Sequence, residues 1–247
     1  MSTLKKRKTT ELDEMTGFVA FLDILGFKEL LQKANHATII GDMVSALRAR
    51  VEYDEKHYTK LKYIAISDSI IITAEQGMGL ALVRKIAQVQ TALLKQGFAV
   101  RGAIASGKIL TYSGQMGRNI FGQTYLKAYA AEQGLALYPR VVADSDATAT
   151  AIRQDIKDET VRRSSTYIRR DDHDGIWYVN QFSSQVIGSK AKFASNRAKT
   201  AKEREVFETK IKRGLKETAS EPRANMKWRW LRGELDFQLP GAEIATK

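Results

Sequence analysis

The chain contains no cysteine. That absence excludes a disulfide framework, thiol catalysis and cysteine-ligated zinc together. Its three histidines, His36, His57 and His173, are far apart with no metal-ligand spacing among them, and read as unrelated surface or loop residues. Only three of the 247 residues are proline, and neither a low-complexity linker nor an internal repeat interrupts the chain, which argues against hinged domains. No apolar stretch approaches the ~20 residues needed to span a bilayer. The start carries the basic run Lys5-Lys6-Arg7-Lys8 with no apolar segment behind it. It reads as a polar tail and not as a signal peptide, and a cytoplasmic protein is the expectation.

With 43% hydrophobic residues and 9% aromatics, the chain can bury a core of its own. Its length suits one large domain, or one domain with an extension. The net charge of +12 calls for an anionic partner. Much of that excess lies late: Lys190 to Arg232 holds fourteen Lys/Arg against five Asp/Glu. Nucleic acid and nucleoside triphosphates are both polyanions, so charge alone does not choose between them.

Phe18 to Ile24 (FVAFLDI) is rich in β-formers and reads as a buried strand ending at an aspartate. Phe27 to Lys33 has helical character. Thr38 to Tyr58 places Ile40, Val44, Leu47 and Val51 at helical spacing. Lys62 to Ile66 and Ile70 to Thr73 flank Ser67-Asp68-Ser69 as a hairpin. Gly79 to Gln96 is a second long helix, stopped by Gly97. Phe98 to Ala105 and Lys108 to Tyr112 read as a further pair of strands, Gly122 to Gln133 as a helix and Arg140 to Ala143 as a strand. Beyond Asp144 the pattern loosens to a strand within Ile176 to Phe182, a charged helix over Ala191 to Lys216 and a shorter one over Asn225 to Leu235. The order strand–helix–strand–strand–helix–strand predicts an α+β fold with a ferredoxin-like core, an antiparallel sheet with helices on one face.

Asp23 ends the first strand and Asp68 sits in the turn of the neighbouring hairpin. Taken singly, Asp23 could cap the next helix and Asp68 could merely serve its turn. Two carboxylates converging at one sheet edge instead suit a pair of Mg²⁺ or Mn²⁺ ions.

These segments are also recognisable. Phe21-Leu22-Asp23-Ile24-Leu25-Gly26-Phe27 resembles the first-strand motif of class III nucleotidyl cyclases. Ile66-Ser67-Asp68-Ser69-Ile70 resembles their hairpin motif, with Ser67 where glycine is usual. Arg101 to Gly107 (RGAIASG) resembles the strand and turn that follow, and Asn119-Ile120-Phe121-Gly122 running into Ala128-Tyr129-Ala130-Ala131-Glu132 resembles the last motif. Within that family the forms are most similar to the bacterial pyrimidine cyclases of Pycsar anti-phage systems. The resemblance implies conversion of UTP, with CTP second, into the 3′,5′-cyclic nucleotide and pyrophosphate, and a cyclic product acting on a separate effector protein. It further implies a head-to-tail homodimer with its active sites at the interface.

On this reading residues 1–15 form a flexible basic tail, 16–186 the cyclase domain and 187–247 a basic helical extension packed on the core. Asp23, Asp68 and the carbonyl of Ile24 are the expected ligands of two divalent cations. The amides of Leu25, Gly26 and Phe27 are expected at the phosphates, and Tyr63, Ile64 and Asn119 at the base. Gly102, Ala103, Ala105 and Gly107 would let a nucleotide or second subunit approach closely. The sequence departs from the family where its transition-state asparagine and arginine align with Leu126 and Ala130, leaving Lys127 and Arg118 as nearby substitutes. The lysine and aspartate that read adenine align with Ile64 and Asn119. Two rivals stay open: a nucleic-acid-binding module of the same strand order, with Trp228 and Trp230 as stacking residues, and a degenerate cyclase fold that senses nucleotides without turnover.

Overall fold

The computed structural model describes residues 11–57, 61–114, 117–158, 167–183 and 193–239. β1 (Glu11–Ile24) lies between β3 (Ser69–Glu75) and β4 (Val100–Gly114), antiparallel to both, and β2 (Leu61–Ile66) flanks β3. α1 (Phe27–Leu31) and α2 (His36–His57) connect β1 to β2, and α3 (Gly79–Gln96) connects β3 to β4. The resulting order β2-β3-β1-β4 is the ferredoxin-like arrangement that the sequence predicts. β6 (Val141–Ala143) adds to β4 in parallel, followed by β8 (Trp177–Val179) and β7 (Ile168–Arg170), while β5 (Gly117–Phe121) pairs with the far end of β4.

Alternation along β1 sends Phe18, Ala20, Leu22 and Ile24 into the main core with α2, α3 and α5 (Asp146–Asp158). Val19 and Phe21 point the other way, into a second cluster with Ile71, Ala105, Ile109 and Ala128 of α4 (Gln123–Leu135). The two helices of the ferredoxin unit share one face as expected, and α4 covers the other. A central strand covered on both faces must be apolar at successive positions, which is why FVAFL does not alternate.

Some boundaries differ from expectation for physical reasons. Residues 11–15, expected in the tail, begin β1: Glu11 opposes Ser113 and Met15 opposes Ile109. This stretch is polar because it forms an exposed ribbon with β4, not because it is unstructured. Residues 1–10 and the expected boundary at 186–187 lie outside the described residues. β4 is one strand, not two. Gly107 is no turn; a Cβ there would stand 2.8 Å from Thr124 Oγ1, whose hydroxyl donates to the Lys108 carbonyl at 2.6 Å. At Gly102 a Cβ would stand 2.4 Å from the Phe21 carbonyl oxygen, and Ala103 and Ala105 are fully buried. The small residues of this strand therefore accommodate the protein's own β1 and α4, not a ligand or a second subunit. α5, absent from the sequence-based expectation, is preceded by Ser145, whose Oγ accepts the Thr148 amide at 3.3 Å.

α6 (Phe193–Glu217) and α7 (Pro222–Gln238) form an antiparallel pair joined by a short turn. Phe207, Ile211, Leu231 and Leu235 bury against Leu94, Ala99 and Phe182, so this basic segment packs on the core. Trp230 stacks on Tyr138 with ring centroids 5.7 Å apart. Trp228 lies so close over Gly214 that a Cβ there would meet its ring at 2.3 Å. Both tryptophans are packing residues. No described helix is long and apolar enough to cross a membrane.

Candidate active site

Asp23 opposes Ser69 on one side and Arg101 on the other. The next residue, Ile24, donates its N–H to the Asp68 carbonyl at 3.1 Å. The two aspartates thus occupy adjoining backbone positions at one end of the sheet, both partly exposed. The hairpin that carries Asp68 is tight: Ile66 pairs with Ser69, leaving Ser67 and Asp68 as the turn. Ser67 has φ 56°, the left-handed conformation that glycine adopts freely. Ser67→Gly is therefore expected to stabilise the protein by up to about 1 kcal/mol, and Ser67→Val to destabilise it by more than ~1 kcal/mol, in urea unfolding.

Asp23 is not alone. Arg101 Nε lies 3.2 Å from Asp23 Oδ2 and 2.7 Å from Glu132 Oε1. Glu132, from α4, is fully buried. Burial pushes its pKa up, Arg101 pulls against that, and the Asp23 charge adds to the rise. Lys227 of α7 shares this field, its pKa lowered by burial and then by Arg101, with Asp23, Glu132 and Glu29 acting the other way. The parity of β1 explains the grouping, since Asp23 falls on the same sheet face as Phe21, beneath α4. The Arg101–Glu132 link was not foreseen, although both residues lie in recognised motifs.

The donor set fits a pair of hard divalent cations. Mg²⁺ and Mn²⁺ favour carboxylate oxygen, and Mg²⁺ is commonly held by one or two carboxylates, with substrate phosphates and water completing the shell. Among the described residues no group of three or more His, Asp or Glu gathers as a self-sufficient metal cage. A metal site built on Asp23, Asp68 and the Ile24 backbone would need further oxygens from substrate or water.

The turn after β1 meets expectation only in part. Gly26 has φ 77° and accepts the first helical hydrogen bond, from Leu30 N–H at 3.0 Å. The Leu25 amide donates to the Ala99 carbonyl at 2.9 Å, so it is not free for a phosphate, contrary to the sequence reading. Gly26 and Phe27 remain at the turn, but α1 spans only five residues and contributes little macrodipole.

The expected base-binding residues divide. Tyr63 opposes Ile72 and packs against the main core, on the opposite face of the sheet from Asp23; it is a packed strand residue, not part of the site. Ile64 opposes Ile71 and packs with the α4-side cluster, on the face that Asp23 shares. Asn119 opposes Tyr112 and Arg118 opposes Ser113. Tyr112 is eleven residues beyond Arg101 on β4, placing Asn119 roughly 36 Å from Asp23 at about 3.3 Å per residue. On α4, Leu126, Lys127 and Ala130 are exposed. The aspartates thus lie at one end of β4, and Asn119 with Arg118 at the other.

A cleft of ≈ 820 Å³ opens between the Leu25–Gly26 turn and the α6–α7 pair, with Glu29, Lys33, Arg213 and Lys227 among its walls; neither Asp23 nor Asp68 lines it. Its volume is ample for a nucleotide.

No family model matches the sequence, and no curated protein matches it either. The fold does have solved relatives. One is a dimeric guanylyl cyclase domain of the RhoGC fusion protein from the aquatic fungus Blastocladiella emersonii, at 13% identity and TM-score 0.50, covering 69% of this chain and 96% of that one. Another is a bacterial light-regulated adenylyl cyclase, also at 13% identity and TM-score 0.50, covering 81% of this chain and 59% of that one. The chain has the fold of nucleotidyl cyclase catalytic domains; identity this low carries the fold alone.

Proposed function

We propose that this chain is a nucleotidyl cyclase that converts a pyrimidine nucleoside triphosphate, UTP before CTP, into its 3′,5′-cyclic monophosphate and pyrophosphate. The observation that carries the reading is the placement of Asp23 and Asp68 side by side, through the Ile24 to Asp68 hydrogen bond, at the end of a cyclase-fold sheet. Asp23, Asp68 and the Ile24 carbonyl would hold two divalent cations, which supply charge neutralisation at the triphosphate and acidify the ribose 3′-OH. The chain's own contribution is positioning. The β1 end and the hairpin turn fix the carboxylates, and the Gly26 turn gives the phosphates close access to backbone. Ile64 offers no charged contact to a purine, and Asn119 carries both a donor and an acceptor for a pyrimidine edge.

A second copy completes the site in this reading. The two ends of β4 are too far apart to meet in one subunit, and a head-to-tail pair brings the Asn119 end of one chain to the Asp23 end of the other. Exposed apolar side chains stand at both ends: Ile66 at the hairpin is 63% exposed, and Phe121 and Leu126 are 50% and 54% exposed. Lys127 and Arg118 would stand in for the missing transition-state cation across that interface. The resemblance to Pycsar enzymes adds a role, synthesis of a second messenger in anti-phage defence that a separate effector reads.

The nucleic-acid alternative loses support from α4, which occupies the sheet face an RNA-recognition module leaves open, and from the packed Trp228 and Trp230. The nucleotide-sensing alternative keeps one observation, Leu126 and Ala130 at the family's transition-state positions. Incubation with each of the four ribonucleoside triphosphates and Mn²⁺, followed by mass spectrometry, separates the readings. Cyclic UMP or cyclic CMP is the expected product; tight nucleotide binding with no cyclic product from any of the four would favour the sensor.

A further inference from the structure

Lys227 lies on α7, outside every stretch that resembles the cyclase family. Its helix is held against the core by Leu231 and Leu235, and its neighbour Trp228 is pressed onto Gly214 of α6. This packing fixes the backbone at Lys227 and aims it where two features meet. Lys227 lines the cleft together with Leu25 and Gly26 of the turn after β1. It also lies within the electrostatic reach of Asp23, Glu132 and Arg101. Leu25 itself packs against the α6–α7 cluster, so the turn and α7 form one wall.

The Asp23, Glu132 and Glu29 charges favour the Lys227 ammonium and Arg101 opposes it, none of them in a direct ion pair with it. Two other cations on the cleft share a counter-ion: Arg213 Nε is 2.6 Å from Glu217 Oε1, and Lys33 Nζ lies 4.0 Å from Glu217 Oε2, while Lys210 also lines the wall. Arg101 is held by Asp23 and Glu132. Lys227 is half-buried and, among the described residues, makes no ion pair or hydrogen bond. A half-buried ammonium with no direct ion pair, in a space large enough for a nucleotide and beside the turn after β1, gains from an arriving polyanion, because its position needs little reorganisation.

We propose that Lys227 is a binding residue for the triphosphate tail of the substrate, and that the C-terminal helical pair is thereby part of the active site and not only a cover for the core. The inference rests on the cyclase reading for the identity of the ligand, but its test does not need turnover. Inorganic triphosphate with Mn²⁺ is titrated calorimetrically into the full chain, the Lys227→Met variant and the Lys227→Arg variant, with melting temperature as the check on folding. Lys227→Met should bind about tenfold or more weakly while melting no lower than the native chain, and Lys227→Arg should stay within about threefold of it. Unchanged affinity in Lys227→Met overturns the inference, as does a native chain that fails to bind inorganic triphosphate. If Lys227→Met fails to fold, loss of affinity in a folded Lys227→Gln variant supports the inference and full retention overturns it. Should the native chain bind triphosphate through Lys227 yet yield no cyclic product from any nucleotide, the cyclase reading fails and this one stands.

Discussion

Asp23→Asn and Asp68→Asn should each lower cyclic nucleotide formation by about 10³-fold or more while leaving the fold intact. The size follows from the work given to the two carboxylates. Losing one of the carboxylates that would hold the cations would remove several kcal/mol of charge stabilisation at the reacting phosphate, and every ~1.4 kcal/mol is tenfold in rate. The fold should tolerate both changes. Both side chains are partly exposed at a sheet end, and an amide keeps the shape of the carboxylate. Arg101 would retain Glu132 as its counter-ion in Asp23→Asn. Rates by product chromatography and melting curves on the same samples check the pair of statements. Full activity in both variants would falsify the site assignment.

The second large effect concerns stability. Glu132 is fully buried, and Arg101 is the cation beside it. Removing one member of a buried pair leaves an uncompensated charge, which typically costs about 3–5 kcal/mol, whereas replacing both by apolar residues is far better tolerated. Arg101→Met is therefore expected to destabilise the chain by about 3 kcal/mol in urea unfolding, and Arg101→Met with Glu132→Leu to recover most of that loss. The sign of the pH dependence follows. Because Glu132 has a raised folded-state pKa, its ionisation opposes folding. Its unfavourable contribution is absent below the ordinary carboxylate range and grows as pH rises towards the folded value. In Arg101→Met this penalty deepens, so that variant should regain stability on mild acidification. Equal destabilisation in the single and double variants would contradict the coupling.

What was legible in the sequence was local. Asp23 at the end of an apolar strand and Asp68 in a two-residue turn are placed by short-range rules, and the strand–helix–strand–strand–helix–strand order constrains which strands become neighbours. The structure agrees on both. What was not legible depended on register and on distant contacts. Tyr63 looked adjacent to the site in sequence, but its pairing with Ile72 sets it on the face away from Asp23. A shift of one residue would have reversed that, and nothing in the chain fixes such a register by itself. The Leu25 amide looked available until Ala99 came beside it. Gly102 and Gly107 looked like room for a ligand because the sequence does not show that Phe21 and Thr124 already fill the space. Arg101, Glu132 and Lys227 come from β4, α4 and α7, so only the folded chain brings them together. α5 did leave a trace, in Ser145 three residues before Thr148, that a capping rule could have used.

Electron paramagnetic resonance of Mn²⁺ bound in the presence of a non-cyclisable UTP analogue tests the central claim most directly. The native protein should bind two Mn²⁺ per active site, magnetically coupled through shared ligands, and the Asp23→Asn/Asp68→Asn double variant should lose the coupled signal. Two coupled ions retained in the double variant would contradict the account.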